Sequence, residues 1–158
     1  MQRCKGFSLI ELLVVVILIG IIAGIVGLNL VNYTKNRNLR SAARYVVSDF
    51  ALCKERAISE NTSYHITFVI GGNSYDIRMG DPPVLVGTKR FTEFGSDIVI
   101  QNADFAGGPQ IDFLTRGTVS PFPPAPGVDS VTLINSRGSQ ATITVNTVGR
   151  TYVTFNII

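Results

Sequence analysis

One carboxylate, Glu11, stands at the head of an apolar run in which no other side chain is charged. The 23 residues 12–34 carry no Asp, Glu, Lys or Arg and are dominated by Leu, Ile and Val. A carboxylate in hydrocarbon costs several kcal/mol unless it is paired or lies at the interface. The chemistry open to Glu11 is therefore electrostatic. Either a cation is brought to it, or it is held at headgroup level by snorkelling. Just ahead of it, Arg3 and Lys5 form a basic leader, and Gly6-Phe7 joins that leader to the apolar run.

Catalysis and metal binding need constellations of side chains, and the sequence offers none. His65 is the only histidine; it falls in a strand pattern and reads as a surface residue. Two cysteines, Cys4 and Cys53, with one histidine are too few for a Cys/His zinc site once the leader is set aside. Asp76, Asp81, Asp97, Asp104, Asp112 and Asp129 are scattered without calcium-loop spacing and read as solvated loop and turn carboxylates. No catalytic residue, metal ligand or cofactor is assigned. Arg116, Arg137 and Arg150 leave one binding alternative: strands that bring them together would make a basic patch for nucleic acid. The formal net charge, +3, is small for a nucleic-acid binder.

The elements that position these residues follow from periodicity. At 1.5 Å per residue the uncharged run makes a helix about 35 Å long, enough to cross a bilayer. Beyond it, Leu39, Ala43, Val46, Phe50, Cys53 and Ala57 recur at spacings of four and three, an apolar stripe along a second helical stretch. Arg37, Arg40, Arg44, Lys54, Glu55 and Glu60 mostly fall off that stripe. No proline interrupts residues 7–61, so one long helix is expected, with Cys53 buried on its stripe. Gly20 with Gly24, and Ala23 with Gly27, are small-xxx-small pairs that permit close helix packing. From Tyr64 the period becomes two. Strands are expected at 64–70, 74–79, 84–91, 97–101, 111–114, 130–135, 140–146 and 151–157. Turns are expected at 71–73, 136–139 and 147–150, and a stiff loop at 121–127. With 46% hydrophobic and 16% charged residues and a mean hydropathy of +0.30, the chain is too apolar to be disordered and reads as a membrane-anchored small domain.

The segment Lys5-Gly6-Phe7-Ser8-Leu9-Ile10-Glu11, with the apolar stretch after it, resembles the class III signal of type IV pilins and type II secretion pseudopilins. Residues 41–68, Ile111-Asp112-Phe113 with Gly117, and the Gly149-Arg150 hairpin are similar to the GspH/FimT group of minor pilins and H-type pseudopilins. The resemblance implies cleavage between Gly6 and Phe7 by a prepilin peptidase and N-methylation of Phe7. It also implies that Glu11 pairs with the N-terminal amine of a neighbouring subunit during assembly. Cleavage removes Arg3 and Lys5, so the net charge falls from +3 to +1; it also removes Cys4 and leaves Cys53 alone.

The fold implied is α+β and pilin-like: a long N-terminal helix, transmembrane in its first half and amphipathic in its second, packed on antiparallel β-sheet. The organisation expected is a leader at 1–6, a transmembrane and assembly helix at 7–34, an amphipathic helix at 35–61 and a β domain at 62–158. Positive charges flank the apolar run on both sides, Arg3 and Lys5 before it and Lys35, Arg37, Arg40 and Arg44 after it, so charge counting does not set its orientation. The resemblance does: a single pass of the bacterial inner membrane with the β domain in the periplasm or outside. The function it implies is a minor pilin or pseudopilin, structural rather than enzymatic, with a priming or tip-proximal place. Its partners would be other pilins or pseudopilins through the N-terminal helix, the prepilin peptidase and the inner membrane. One alternative is a DNA-capturing minor pilin. Some FimT-type pilins use a Gly-Arg-x-Arg motif, and the matching positions here read Gly149-Arg150-Thr151-Tyr152, with Tyr152 in place of the second arginine. Another is a permanently anchored periplasmic binding module, enzyme or sensor.

Overall fold

The computed structural model describes residues 8–106, 108–120 and 129–158, those at 25–30 by their backbone alone. Gly6, Phe7 and the loop at 121–127 lie outside the described residues. The chain divides into two compact units, Met1–Thr34 and Lys35–Ile158. One helix, α1 (Leu9–Ser59), contributes to both.

In the first unit α1 starts on Ser8, whose carbonyl accepts from the amides of Glu11 and Leu12 at 3.1 and 3.2 Å. No proline breaks the segment, and few side chains compete for its backbone hydrogen bonds. Its described large apolar side chains are exposed on every face, from 82% at Leu9 to 45% at Val15. A Cβ added at Gly20 or Gly24 would meet nothing within 4 Å. Among the described residues no helix is long and apolar enough to cross a membrane.

In the second unit the expected stripe is the buried face of α1. Leu39, Ala43, Val46, Phe50, Cys53 and Ala57 are all at most 2% exposed, joined by Ala42 and Asp49. The stripe covers two antiparallel sheets. Sheet A has the order β3 (Val84–Arg90), β2 (Ser74–Met79), β1 (Tyr64–Phe68), β5 (Gln110–Phe113), β6 (Val119–Ser120). Sheet B has the order β4 (Val99–Asp104), β7 (Ser130–Ile134), β8 (Gln140–Val145), β9 (Thr151–Asn156). The sheets are tied to each other at Ile100, which exchanges backbone bonds of 2.8 Å with Gly71 and Gly72, and at Val119, whose amide donates to Thr147. Phe50 of α1 meets Phe68 and Phe113 with ring centroids 6.1 and 5.7 Å apart. Phe68 in turn meets Tyr75 and Phe105. One aromatic cluster thus joins the helix to sheet A and to the end of β4.

The strand pattern differs from the expected one in particulars. β1 stops at Phe68, because 69–72 forms a turn closed by the Gly72 amide on the Val69 carbonyl, leaving Val69 and Ile70 half exposed. β3 stops at Arg90, and Phe91–Phe94 forms a 3-10 turn that buries Phe91 completely. β4 runs three residues further than expected and starts two later. Asp97 is held outside it by the Ser136 hydroxyl, while Asn102 to Asp104 pair with β7 beyond a bulge. β6 is too short to show a period. The helix ends at Ser59, two residues before the expected Asn61.

Asp49 is a carboxylate 5% exposed on the helix face that packs the core. Tyr75 Oη donates to it at 2.6 Å. Burial, then the carboxylate, push the Tyr75 phenol upward, so it stays a donor at any ordinary pH. Tyr75→Phe should leave that carboxylate without its donor and destabilise the fold by about 1–3 kcal/mol, read as a lower urea midpoint at unchanged m.

Cys53 is 2% exposed, and burial pushes its thiol from the ordinary 9.0 up to about 12. The folded chain should react with a thiol reagent far more slowly than the unfolded chain. The neutral thiol favours the folded form below pH 9.0, and this contribution should be lost as the pH rises from there towards about 12. Cys53→Ser should cost about 1 kcal/mol or more and flatten that alkaline loss, as followed by thermal melts at stepped pH.

Candidate functional site

At the N-terminal end the described chemical group is Glu11. It sits, exposed, in the first turn of α1, beside Ser8, Ile10, Val14 and Val15. The amides of a first helical turn favour a carboxylate there. Among the described residues the ion pairs are His65–Asp112 and Arg78–Asp76, so no described cation answers Glu11.

In the second unit the three arginines separate. Arg116 is exposed in a turn at 114–118, closed by the Gly117 amide on the Leu114 carbonyl at 2.8 Å. Arg150 is exposed just after a turn at 146–149, closed by the Gly149 amide on the Asn146 carbonyl at 2.8 Å. These two turns touch: a Cβ on Gly149 would lie 3.2 Å from the Gly117 carbonyl oxygen. Both glycines have positive φ, +75° and +70°, and both abut the Lys54 side chain of α1. Glycine there answers a need for conformation and for space together. Lys54 Nζ donates to the Val148 carbonyl at 2.7 Å.

Arg137 belongs to a different turn, at 135–139. Its neighbours in that turn bond elsewhere: Ser136 to Asp97 and Lys35, and Asn135 to Asn36. β8 runs between the turn of Arg137 and that of Arg150, and six residues of strand span about 20 Å. The structure therefore brings the turns of Arg116 and Arg150 together, adds Lys54, and leaves Arg137 at the other end. Lys54 gave no sequence signal, because its place depends on which distant turns reach the helix.

His65 is not a loose surface residue. Its side chain is 14% exposed, with Nδ1 2.8 Å from Asp112 Oδ1 and Nε2 3.1 Å from the Gly80 carbonyl oxygen. Asp112, in turn, is not a solvated turn carboxylate. It lies opposite His65 in the β1–β5 register and also accepts from Gln110 Nε2 at 2.7 Å. The couple fastens β1 to β5 and to the β2–β3 turn, and nothing nucleophilic adjoins it in these contacts. Among the described residues no group of three His, Cys, Asp or Glu is placed to hold a metal.

The prokaryotic N-terminal methylation motif matches residues 1–27. No curated protein matches the sequence. Among solved structures, the minor pseudopilin EpsH of the Vibrio cholerae type II secretion system is similar in two structures. One has a TM-score of 0.58 at 11% identity, covering 75% of this chain and 94% of EpsH; the other has 0.56 at 14%, covering 75% and 97%. The type IV minor pilin FimU of Pseudomonas aeruginosa is similar with a TM-score of 0.56 at 14% identity, covering 77% of this chain and 92% of FimU. At these identities the likeness is one of fold. The chain thus carries the prokaryotic N-terminal methylation motif at residues 1–27 and, behind it, an α+β body with the fold of EpsH and FimU.

Proposed function

We propose that the protein is a minor pilin or pseudopilin, a structural subunit held in the bacterial inner membrane and built into a type IV pilus or type II secretion pseudopilus. The observation that carries this reading is the methylation motif at residues 1–27 in front of a domain with the EpsH and FimU fold. On this reading a prepilin peptidase cuts between Gly6 and Phe7, and the new amine at Phe7 is methylated. The apolar run crosses the membrane once, and the β domain lies in the periplasm or outside. Apolar side chains exposed on every face suit lipid while the subunit is stored and neighbouring helices once it is assembled. The open space at Gly20 and Gly24 permits such a helix to approach closely.

Glu11 makes that transfer directional. Its carboxylate and a neighbour's N-terminal amine are each costly in hydrocarbon, and docking neutralises both. A priming or tip-proximal place fits a minor subunit. DNA capture is the second reading, favoured by the adjoining turns of Arg116 and Arg150 beside Lys54. It would draw on that local patch rather than on net charge.

Mass spectrometry of the protein from filament-bearing cells should show a chain that begins at methylated Phe7; an intact Met1 start would sink the reading. Glu11→Ala should leave processing and membrane level unchanged and lower incorporation into filaments. Glu11→Asp should be intermediate, since it keeps the charge and shortens the reach. Incorporation of Glu11→Ala at the parental level would show that Glu11 does not pair.

A further inference from the structure

Sheet A ends in β3, which pairs with β2 on one side and, among the described residues, with no strand on the other. Open edges are ordinarily blunted by charge, proline or bulges. Here Pro82 and Pro83 precede the strand and Lys89 and Arg90 close it, while Val84, Leu85 and Val86 between them are 62%, 55% and 49% exposed. An edge of sheet B, β9, differs: Val153 and Phe155 pack against the core, and Thr154 and Asn156 are among its exposed residues.

The β2–β3 register explains the shape beside the edge. Ile77 faces Gly87 and Arg78 faces Leu85, so Val86 is the extra residue of a bulge. A Cβ on Gly87 would meet nothing within 4 Å. Between this strand and α1 runs a groove of about 350 Å³. Leu52 of α1 and Val86 form its apolar walls, and Cys53, Tyr64 and Ile77 lie at its base.

Its charge has one sign. Arg56 and Lys89 line the groove. Of the carboxylates near it, Asp49 accepts from Tyr75, Glu60 from the Tyr64 hydroxyl at 2.6 Å and Asp76 from Thr88 and Arg78, while Glu93 acts on Lys89; none of them lines the groove. Lys89 is steadied by the Tyr45 hydroxyl at 3.0 Å and lies over that ring, which keeps its charge beside the groove.

We propose that this groove docks an extended segment of a second protein, with an apolar side chain seated between Leu52 and Val86 and an adjacent carboxylate at Arg56. The volume suits one large side chain and its neighbours. The open backbone of β3 gives the segment partners along its length. The site belongs wholly to the second unit and stands or falls apart from the Glu11 pairing.

The test uses the full chain in detergent micelles and synthetic peptides of about eight residues, a usual strand length. The first alternates threonine and valine around a central leucine-glutamate pair. The second has lysine for the glutamate, and the third alanine for the leucine. The first should slow hydrogen exchange in β3 and bind roughly fivefold or more tightly than the other two. Arg56→Glu, at an exposed position, should reverse the glutamate–lysine preference. Val86→Lys should abolish binding while exchange in β8 stays as in the parent. Equal binding of the three peptides, no slowing in β3, or an unchanged preference in Arg56→Glu would each overturn the proposal, whatever filament incorporation shows.

Discussion

The second unit depends on one constraint: a single face of α1 must cover two sheets at once. A helix in a protein draws most of its stability from packing its amphipathic face, and each sheet has an apolar face that needs cover. Three alanines, Ala42, Ala43 and Ala57, are completely buried on that face, so the helix approaches closely beside them. Phe50 fills the wider space between, against Phe68 and Phe113. The placement of the turns follows from this. Lys54, one residue beyond the stripe at Cys53, is carried to where the turns at 114–118 and 146–149 converge, and it bonds the second of them. The groove beside β3 is the other flank of the same packing, where Leu52 leaves the core and faces the edge strand.

How much of this was legible depended on range along the chain. Local periodicity carried the stripe from Leu39 to Ala57 and most of the strand order, because burial repeats every three to four residues on a helix and every two on a strand. It carried the burial of Cys53 too. It did not carry Asp49, which occupies a stripe position as a carboxylate; its donor, Tyr75, lies 26 residues away on β2. It did not carry the His65–Asp112 couple, since that pair exists only because β1 pairs with β5 across 47 residues. The three arginines show the same limit. Turn residues were recognised locally, but which turns adjoin is set by sheet order, and sheet order separates Arg137 from the other two. The bulge at Val86 has no local signature at all: it is a property of two strands together.

The two units treat hydrophobic residues in opposite ways, and that opposition bears on the proposed role. Lys35–Ile158 gathers Leu39, Phe50, Ile66, Phe113, Leu133 and Ile143, among others, in one core and leaves apolar side chains such as Leu52 and Val84–Val86 at its surface. The described large apolar residues of α1 in the first unit are exposed; on the proposed reading, lipid or another subunit covers them. Burial of apolar surface is non-directional. It would hold such a helix equally well at many depths and rotations. A lone carboxylate removes that degeneracy, because an ion pair in a low-dielectric setting is favourable only where its partner charge is within reach, and costly everywhere else. On the proposed reading, Glu11 thereby fixes the register that the apolar surface around it cannot fix. The β domain is left free to choose partners by its own surfaces.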